Sequence, residues 1–290
     1  MFQVAAADPL SYLEAIILGI VQGLTEFLPI SSSAHIRIVS AMAGWGDPGA
    51  AFTAVTQIGT EIAVVIYFWK DIVRIIKAWF RSLPEKRWPS DPDARMGWLV
   101  IFGSIPVVVL GLFLESPIDS AFRDLRLIAF TMIFFGLLLG AADRFSRSDR
   151  ELTDLTVKHG IIYGFAQSMA LIPGVSRSGG TITAGRLLGY SREAATRYAF
   201  LLALPAVFGS GVYKLKDIGG ADGGTGWGPT IVATVIAFGV GFAVIAWLMK
   251  YLRTKSYAPF VLYRLALGVL LLVLIGTGAL DPDSGYVAPK

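Results

Sequence analysis

The chain contains no cysteine and only two histidines in 290 residues. Without thiols, disulfides and thiolate metal sites are excluded, and the redox compartment cannot be read. Charge is also scarce. Asp, Glu, Lys and Arg make up 16% of the residues, against about 25% in soluble domains. The net charge of +4 is small and its basic residues fall in loops, so no nucleic-acid partner is expected. The first residues lack the basic start of a cleavable signal, so the N-terminus is expected to be mature.

Apolar sequence is abundant. Hydrophobic residues reach 54% and the mean hydropathy is +0.64. Six stretches, at 51–69, 97–114, 127–142, 196–213, 229–249 and 259–279, approach the roughly 20 residues of a helical crossing. The shortest, 127–142, is expected to extend at its ends. These features predict an all-α, multi-pass protein with one integral membrane domain over 1–290. Regions 10–45 and 160–190 differ, being hydrophobic but broken by Pro, Gly and Ser. Broken backbone at membrane depth is tolerated only inside protein or along a wet cavity. Each region therefore reads as a re-entrant helix–loop–helix.

Basic residues set the orientation. They cluster in 70–95, 143–158 and 250–255, all on one side if every span crosses and both broken pieces return. Both termini then lie on the non-cytoplasmic face. The polar runs inside the broken regions repeat each other. Shifting by 145 residues places Gly19 on Gly164, Gln22 on Gln167, Ser31 on Ser176 and Ser33 on Ser178. At an offset of 146, Tyr67, Lys70 and Asp71 meet Tyr213, Lys216 and Asp217. An odd number of spans separates the copies, which predicts an inverted repeat with a shared site near the bilayer midplane. The repeats run about 10–115 and 155–250, followed by the last span at 259–279 and a polar tail at 281–290.

The first run holds Gln22, Glu26, Ser31, Ser32, Ser33 and His35. Gln22 and Glu26 share a helix face, and a carboxylate in a membrane must be solvated, paired or protonated. The serines serve either as helix caps or as site hydroxyls. His35 is a candidate acid, base or nucleophile. The second run, Pro173 to Thr181, joins Arg177 to Ser176, Ser178, Gly179, Gly180 and Thr181. Glycine N–H groups at a helix start suit an anion, and a guanidinium suits phosphate. Arg177 pairs either with such an anion or with a carboxylate such as Glu26 or Glu61. Glu61, four residues after Gln57, either faces the site or is buried in packing.

At these residues the chain resembles the undecaprenyl-diphosphate phosphatases, the bacitracin-resistance proteins. Their (E/Q)xxxE motif falls on Gln22 to Glu26, their Pro-x-Ser-Ser-(Ser/Thr)-x-His segment on Pro29 to His35, and PGxSRSxxT on Pro173 to Thr181. The resemblance implies a bacterial plasma-membrane hydrolase that converts undecaprenyl diphosphate to the monophosphate. Such an enzyme recycles the lipid carrier for peptidoglycan and confers bacitracin resistance. The resemblance also implies six spans, two re-entrant pairs and a divalent cation, Mg2+ or Ca2+. It implies catalytic roles for Glu26, Ser32, His35, Ser176 and Arg177, with Glu26 as the possible cation ligand. Gln22, Ser31, Ser33, Ser178, Gly179, Gly180 and Thr181 are expected to hold the diphosphate. Gln22 occupies a position that is often Glu in the family, and an amide cannot act as a base or as a fully charged ligand. The expected partners are the isoprenyl diphosphate lipid and membrane lipids, with a homodimer also open, and the site is expected to face outward. An inverted repeat equally suits a lipid-phosphate flippase or an anion transporter. Glu26 and His35 beside the anion loop favour hydrolysis, and a scaffold role would leave Arg177 and Glu26 unexplained.

Overall fold

The computed structural model describes residues 10–84, 88–119, 121–219 and 225–284. The expectations for residues 1–9 and 285–290 lie outside these. Among the described residues the chain is helical and has no strand. The helices are α1 (Tyr12–Thr25), α2 (Ser32–Met42), α3 (Gly49–Tyr67), α4 (Trp69–Ser82), α5 (Pro92–Phe113) and α6 (Glu115–Asp119). They continue with α7 (Leu125–Phe145), α8 (Val157–Ser168), α9 (Arg177–Leu187), α10 (Arg192–Lys214), α11 (Trp227–Tyr251) and α12 (Ala258–Gly276).

Six of these helices are long and apolar enough to cross a membrane: α3, α5, α7, α10 with the turn that follows it, α11 and α12. They coincide with the six stretches read from the sequence. The shortest stretch grows at both ends, to Leu125–Phe145, and Asp124 sets its start by accepting the N–H of Arg126 at 2.6 Å. Outward positions on these helices are apolar, including Phe102, Ile105 and Leu112 on α5 and Leu262, Val269 and Val273 on α12. That is the surface a hydrocarbon environment permits.

Local chemistry sets the starts of the shorter helices. Ser11 and Glu14 form a capping box at α1, with the Ser11 N–H donating to the Glu14 carboxylate at 2.7 Å. Thr156 accepts from the His159 N–H at 3.2 Å and opens α8. α4 is a helix the sequence reading used only as a basic segment. Lys70, Arg74, Lys77 and Arg81 recur at three- and four-residue spacing and so share one face. Ile75 and Ala78 are buried on another face.

The two short pairs, α1–α2 and α8–α9, are each packed on a long helix distant in sequence. α1 lies along α11 and α8 lies along α5. The repeated glycine permits each approach. A Cβ on Gly19 would stand 2.7 Å from the Ala233 carbonyl oxygen of α11. A Cβ on Gly164 would stand 2.6 Å from the Gly103 carbonyl oxygen of α5. Small residues at such crossings let the backbones touch. Buried arginines tie the second helix of each pair. Arg37 of α2 meets Asp47 at 3.4 Å, and Arg186 of α9 meets Asp143 at 3.4 Å. The core continues into aromatic contacts, with Phe27 edge-on to Phe200 at 5.3 Å and Tyr163 edge-on to Tyr198 at 4.7 Å.

Candidate active site

The breaks in the two short pairs face each other. Ser31 and Ser176, each just before the second helix of its pair, are the only non-glycine residues with positive φ among those described. Their φ values are 74° and 72°. Side chains rarely adopt this region, and it concentrates where surrounding structure enforces it. Ser176 caps α9 by accepting the Gly179 N–H at 3.1 Å. Ser31 instead reaches across, and its hydroxyl accepts the Gly174 N–H at 3.1 Å. Ser178 returns the contact by donating to the Leu28 carbonyl at 3.1 Å.

Arg264 of α12 locks the two turns from below. Its guanidinium donates to the Pro29 carbonyl at 3.0 Å, to Gly174 at 2.7 Å and to Val175 at 3.2 Å. It also reaches Met132 of α7 at 3.1 Å. No carboxylate pairs with it among the described residues, so the carbonyl dipoles alone satisfy this buried cation. The glycines belong to this packing. A Cβ on Gly179 would lie 2.8 Å from an Arg264 nitrogen, and one on Gly180 would lie 3.1 Å from the Ala166 carbonyl. The Gly179 N–H is taken by Ser176, and the Gly180 N–H by the Ser176 carbonyl at 2.8 Å. Thr181 donates to the carbonyl of Arg177 at 2.7 Å. Gly179, Gly180 and Thr181 therefore set the position of α9 in this arrangement.

The charged residues converge above the turns. Arg177 donates from one nitrogen, Nη2, to both Glu26 and Glu61, the latter at 2.8 Å. The other oxygen of Glu26 accepts from Gln22 at 2.7 Å, from Gln57 at 3.4 Å and from the Ser32 hydroxyl. Glu61 is fully buried and its Oε2 has no partner. Gln22 Oε1, Arg177 Nη1 and both amide atoms of Gln167 are also buried without partners. Buried polar atoms are normally satisfied, so this concentration marks a binding site.

His35 stands apart from that cluster. Its Nδ1 bonds the Ser31 carbonyl at 2.7 Å and its Nε2 bonds the Tyr263 hydroxyl at 2.7 Å. The carbonyl only accepts, so Nδ1 carries a proton. Ser33 contacts Ser31 at 3.4 Å and faces a cavity of about 480 Å³. Gln57, Gln167 and Arg177 line that cavity, as do the charged residues Glu115, Arg123 and Lys214. Val107, Val108, Leu112, Leu171 and Val207 form its apolar wall. Val108 and Leu112 are also exposed on the outside of α5, so the cavity meets the apolar surface. Among the lining residues Val107 directly follows Pro106 of α5 and Ala206 directly follows Pro205 of α10. A proline inside a helix removes one backbone hydrogen bond.

A family model described as bacitracin resistance protein BacA matches residues 15–270. The chain belongs to this family. It is 63% identical over 276 residues to the undecaprenyl-diphosphatase of Thermobifida fusca, covering 95% of this chain and 94% of the relative. It is 60% identical to the undecaprenyl-diphosphatase of Streptomyces griseus over 96% of this chain and 100% of the relative. For the protein of that name from Nocardioides the identity is 59%, over 93% of this chain and 98% of the relative.

In this BacA-family chain the motif residues Glu26, Ser32, Gln22 and Arg177 are brought into direct contact. Thr181 and the two glycines position α9, which carries Arg177 into that contact, and His35 lies outside it. Sequence reasoning missed Arg264, Tyr263 and Gln57 and left Glu61 open. Arg264 had a signal, an arginine in the middle of an apolar span. Gln57 and Tyr263 had none, because both types occur freely at helix contacts and membrane interfaces.

Proposed function

We propose that this chain hydrolyses undecaprenyl diphosphate to undecaprenyl phosphate and inorganic phosphate in a bacterial plasma membrane. The reaction recycles carrier lipid for peptidoglycan synthesis and gives bacitracin resistance. The observation that carries this reading is the cavity, which Arg177 lines together with apolar side chains of α5 and α10, Val108 and Leu112 among them being exposed. A lipid diphosphate has the matching form, a doubly charged head on a hydrocarbon chain. The names of the relatives point to the same chemistry and do not favour a flippase or an anion transporter.

Phosphoryl transfer relies on positioning and charge stabilisation rather than on extensive covalent chemistry. Arg177 neutralises the diphosphate through Nη1, its unpartnered nitrogen. Among the described residues Ser32 is the site serine hydrogen-bonded to a carboxylate. A nucleophile in reach of its base is the expected arrangement. Ser32 Oγ attacks the terminal phosphorus, its proton passes to Glu26 and on to the departing phosphate oxygen, and undecaprenyl phosphate leaves with Glu26 ionised again. Water then hydrolyses the phosphoserine with Glu26 as base. The Glu26 carboxylate and the unpartnered Gln22 Oε1 are oxygens of the type that suits a hard cation. Glu26 would hold a divalent cation, Mg2+ or Ca2+, which would supply neutralising charge to the phosphoryl group. His35 keeps the Ser31 turn in place through Nδ1.

The same reading includes an inverted repeat of re-entrant pairs with the site open to the outer face. Support comes from the matched φ at Ser31 and Ser176, the matched glycine crossings and the three long helices α3, α5 and α7 between the pairs. The test is inorganic phosphate release from a C15 or C55 isoprenyl diphosphate by purified protein in detergent. Release by the wild type and a loss of at least about a hundredfold in Arg177→Ala are expected. Turnover without release, or near-normal release by a folded Arg177→Ala, would sink the reading.

A further inference from the structure

Among the described residues Arg177 is the only cation paired with Glu26 and Glu61, so ionising both carboxylates leaves one excess negative charge among these buried side chains. An uncompensated buried charge costs several kcal/mol, so the cluster takes up either a proton or a metal cation. The side chain of Glu61 is 0% exposed, and its Oε2 has no hydrogen-bond partner. Gln22 is equally buried. Its amide nitrogen is held on Glu26 at 2.7 Å, which leaves Oε1 as an unpartnered acceptor at the same place. Two acceptors from different helices, α1 and α3, thus stand unsatisfied around one carboxylate pair. The two unsatisfied acceptors, Glu61 Oε2 and Gln22 Oε1, are both oxygens, the type that hard divalent cations select.

We propose that Glu61 is the second carboxylate ligand of a divalent-cation site shared with Glu26. It supplies from α3 the charge that Gln22, a neutral amide on α1, cannot supply. Gln22 contributes its carbonyl oxygen. Ligand charge count sets the affinity of such sites, so losing Glu61 weakens the cation even though Glu26 remains. The inference rests on the reading of the chain as a cation-assisted phosphatase, and it concerns one ligand of that site.

The test is cation binding itself, read without turnover. Purified protein in detergent is titrated with Mn2+ and bound ion is followed by electron paramagnetic resonance, with Ca2+ and Mg2+ as competitors. Glu61→Gln is expected to lose at least about tenfold in affinity while keeping its elution profile. The double variant Gln22→Glu/Glu61→Gln returns a carboxylate to the cluster and is expected to recover most of that loss. If Glu61→Gln alone fails to fold, the double variant decides the matter, since a folded double variant with weak binding overturns the proposal. Wild-type affinity in a folded Glu61→Gln also overturns it, and the phosphatase reading then stands on its release assay. A wild type that releases phosphate yet binds no Mn2+ refutes the cation site. A wild type that does neither refutes the functional reading as well. Protonation of Glu61 in place of cation binding would appear as equal Mn2+ affinity in all three proteins.

Discussion

Ser31 and Ser176 are 145 positions apart and hold the same left-handed backbone, at φ 74° and 72°. Their side chains have diverged. Ser176 caps its own helix, while Ser31 accepts the N–H of Gly174 in the opposite turn. Positive φ costs about 1 kcal/mol for a residue with a Cβ. Ser31→Ala keeps that cost and loses the cross-turn hydrogen bond. Ser31→Gly loses the same bond but relieves the backbone. Ser31→Gly is therefore expected to melt above Ser31→Ala in detergent, by the equivalent of about 1 kcal/mol. The reverse order would show that the backbone at Ser31 is not strained.

Arg264 is expected to be essential for the register of the two turns. Arg264→Ala leaves the carbonyls of Pro29, Gly174, Val175 and Met132 without this donor. Each buried acceptor left unsatisfied costs about 1–3 kcal/mol. Arg264→Lys supplies one point charge where a fork spans several carbonyls, so it recovers only part of the loss. Thermal melting should rank wild type above Lys above Ala, with phosphate release following that order. A fully stable Arg264→Ala would mean that the turns hold each other unaided.

The repeated glycines are expected to behave alike. Gly19→Ala and Gly164→Ala each drive a methyl group toward a backbone carbonyl, at 2.7 and 2.6 Å. Overpacking of this kind costs about 1–3 kcal/mol. Gly239 on α11 has nothing within 4 Å of a built Cβ. Gly239→Ala is therefore expected to be neutral or to stabilise by up to about 1 kcal/mol through helix propensity. Parallel melting curves would show whether the two crossings are as tight as the geometry requires.

Ser32 and Ser176 should separate as nucleophile and cap. Ser32→Ala is expected to lower phosphate release by about a thousandfold or more, and Ser176→Ala mainly to lower the melting temperature. Acid-quenched protein turning over radiolabelled diphosphate should carry label on Ser32. Label on Ser176 or His35 would reassign the nucleophile.

Much of the fold was legible because hydropathy is a local property. The six long helices follow from runs of apolar residues, and the broken pairs from Pro, Gly and Ser inside such runs. The pairing of the two signature runs followed from their identity at a fixed offset. α4 was overlooked because its basic residues were weighed for orientation, although Lys70, Arg74, Lys77 and Arg81 carried a helical spacing.

The candidate site was legible as a set of residues and illegible as an arrangement. Arg177 was expected to meet either phosphate or a carboxylate, and it meets both Glu26 and Glu61. Gly179 and Gly180 read as an anion cradle from composition, yet their N–H groups are spent on Ser176. Local pattern cannot show this, because a glycine that admits a neighbour and a glycine that admits a ligand look the same in one dimension.

The sequence by itself determined that this chain is a membrane protein with two matched polar breaks, since transfer of apolar side chains out of water depends on composition along the chain. Tertiary structure alone decided that Glu61 faces Arg177 from 116 positions away and that Arg264 joins turns 89 or more positions from itself. Those contacts depend on how closely α3, α9 and α12 approach. Van der Waals fit at glycines and the geometry of hydrogen bonds set that distance, and neither is written in the order of the residues.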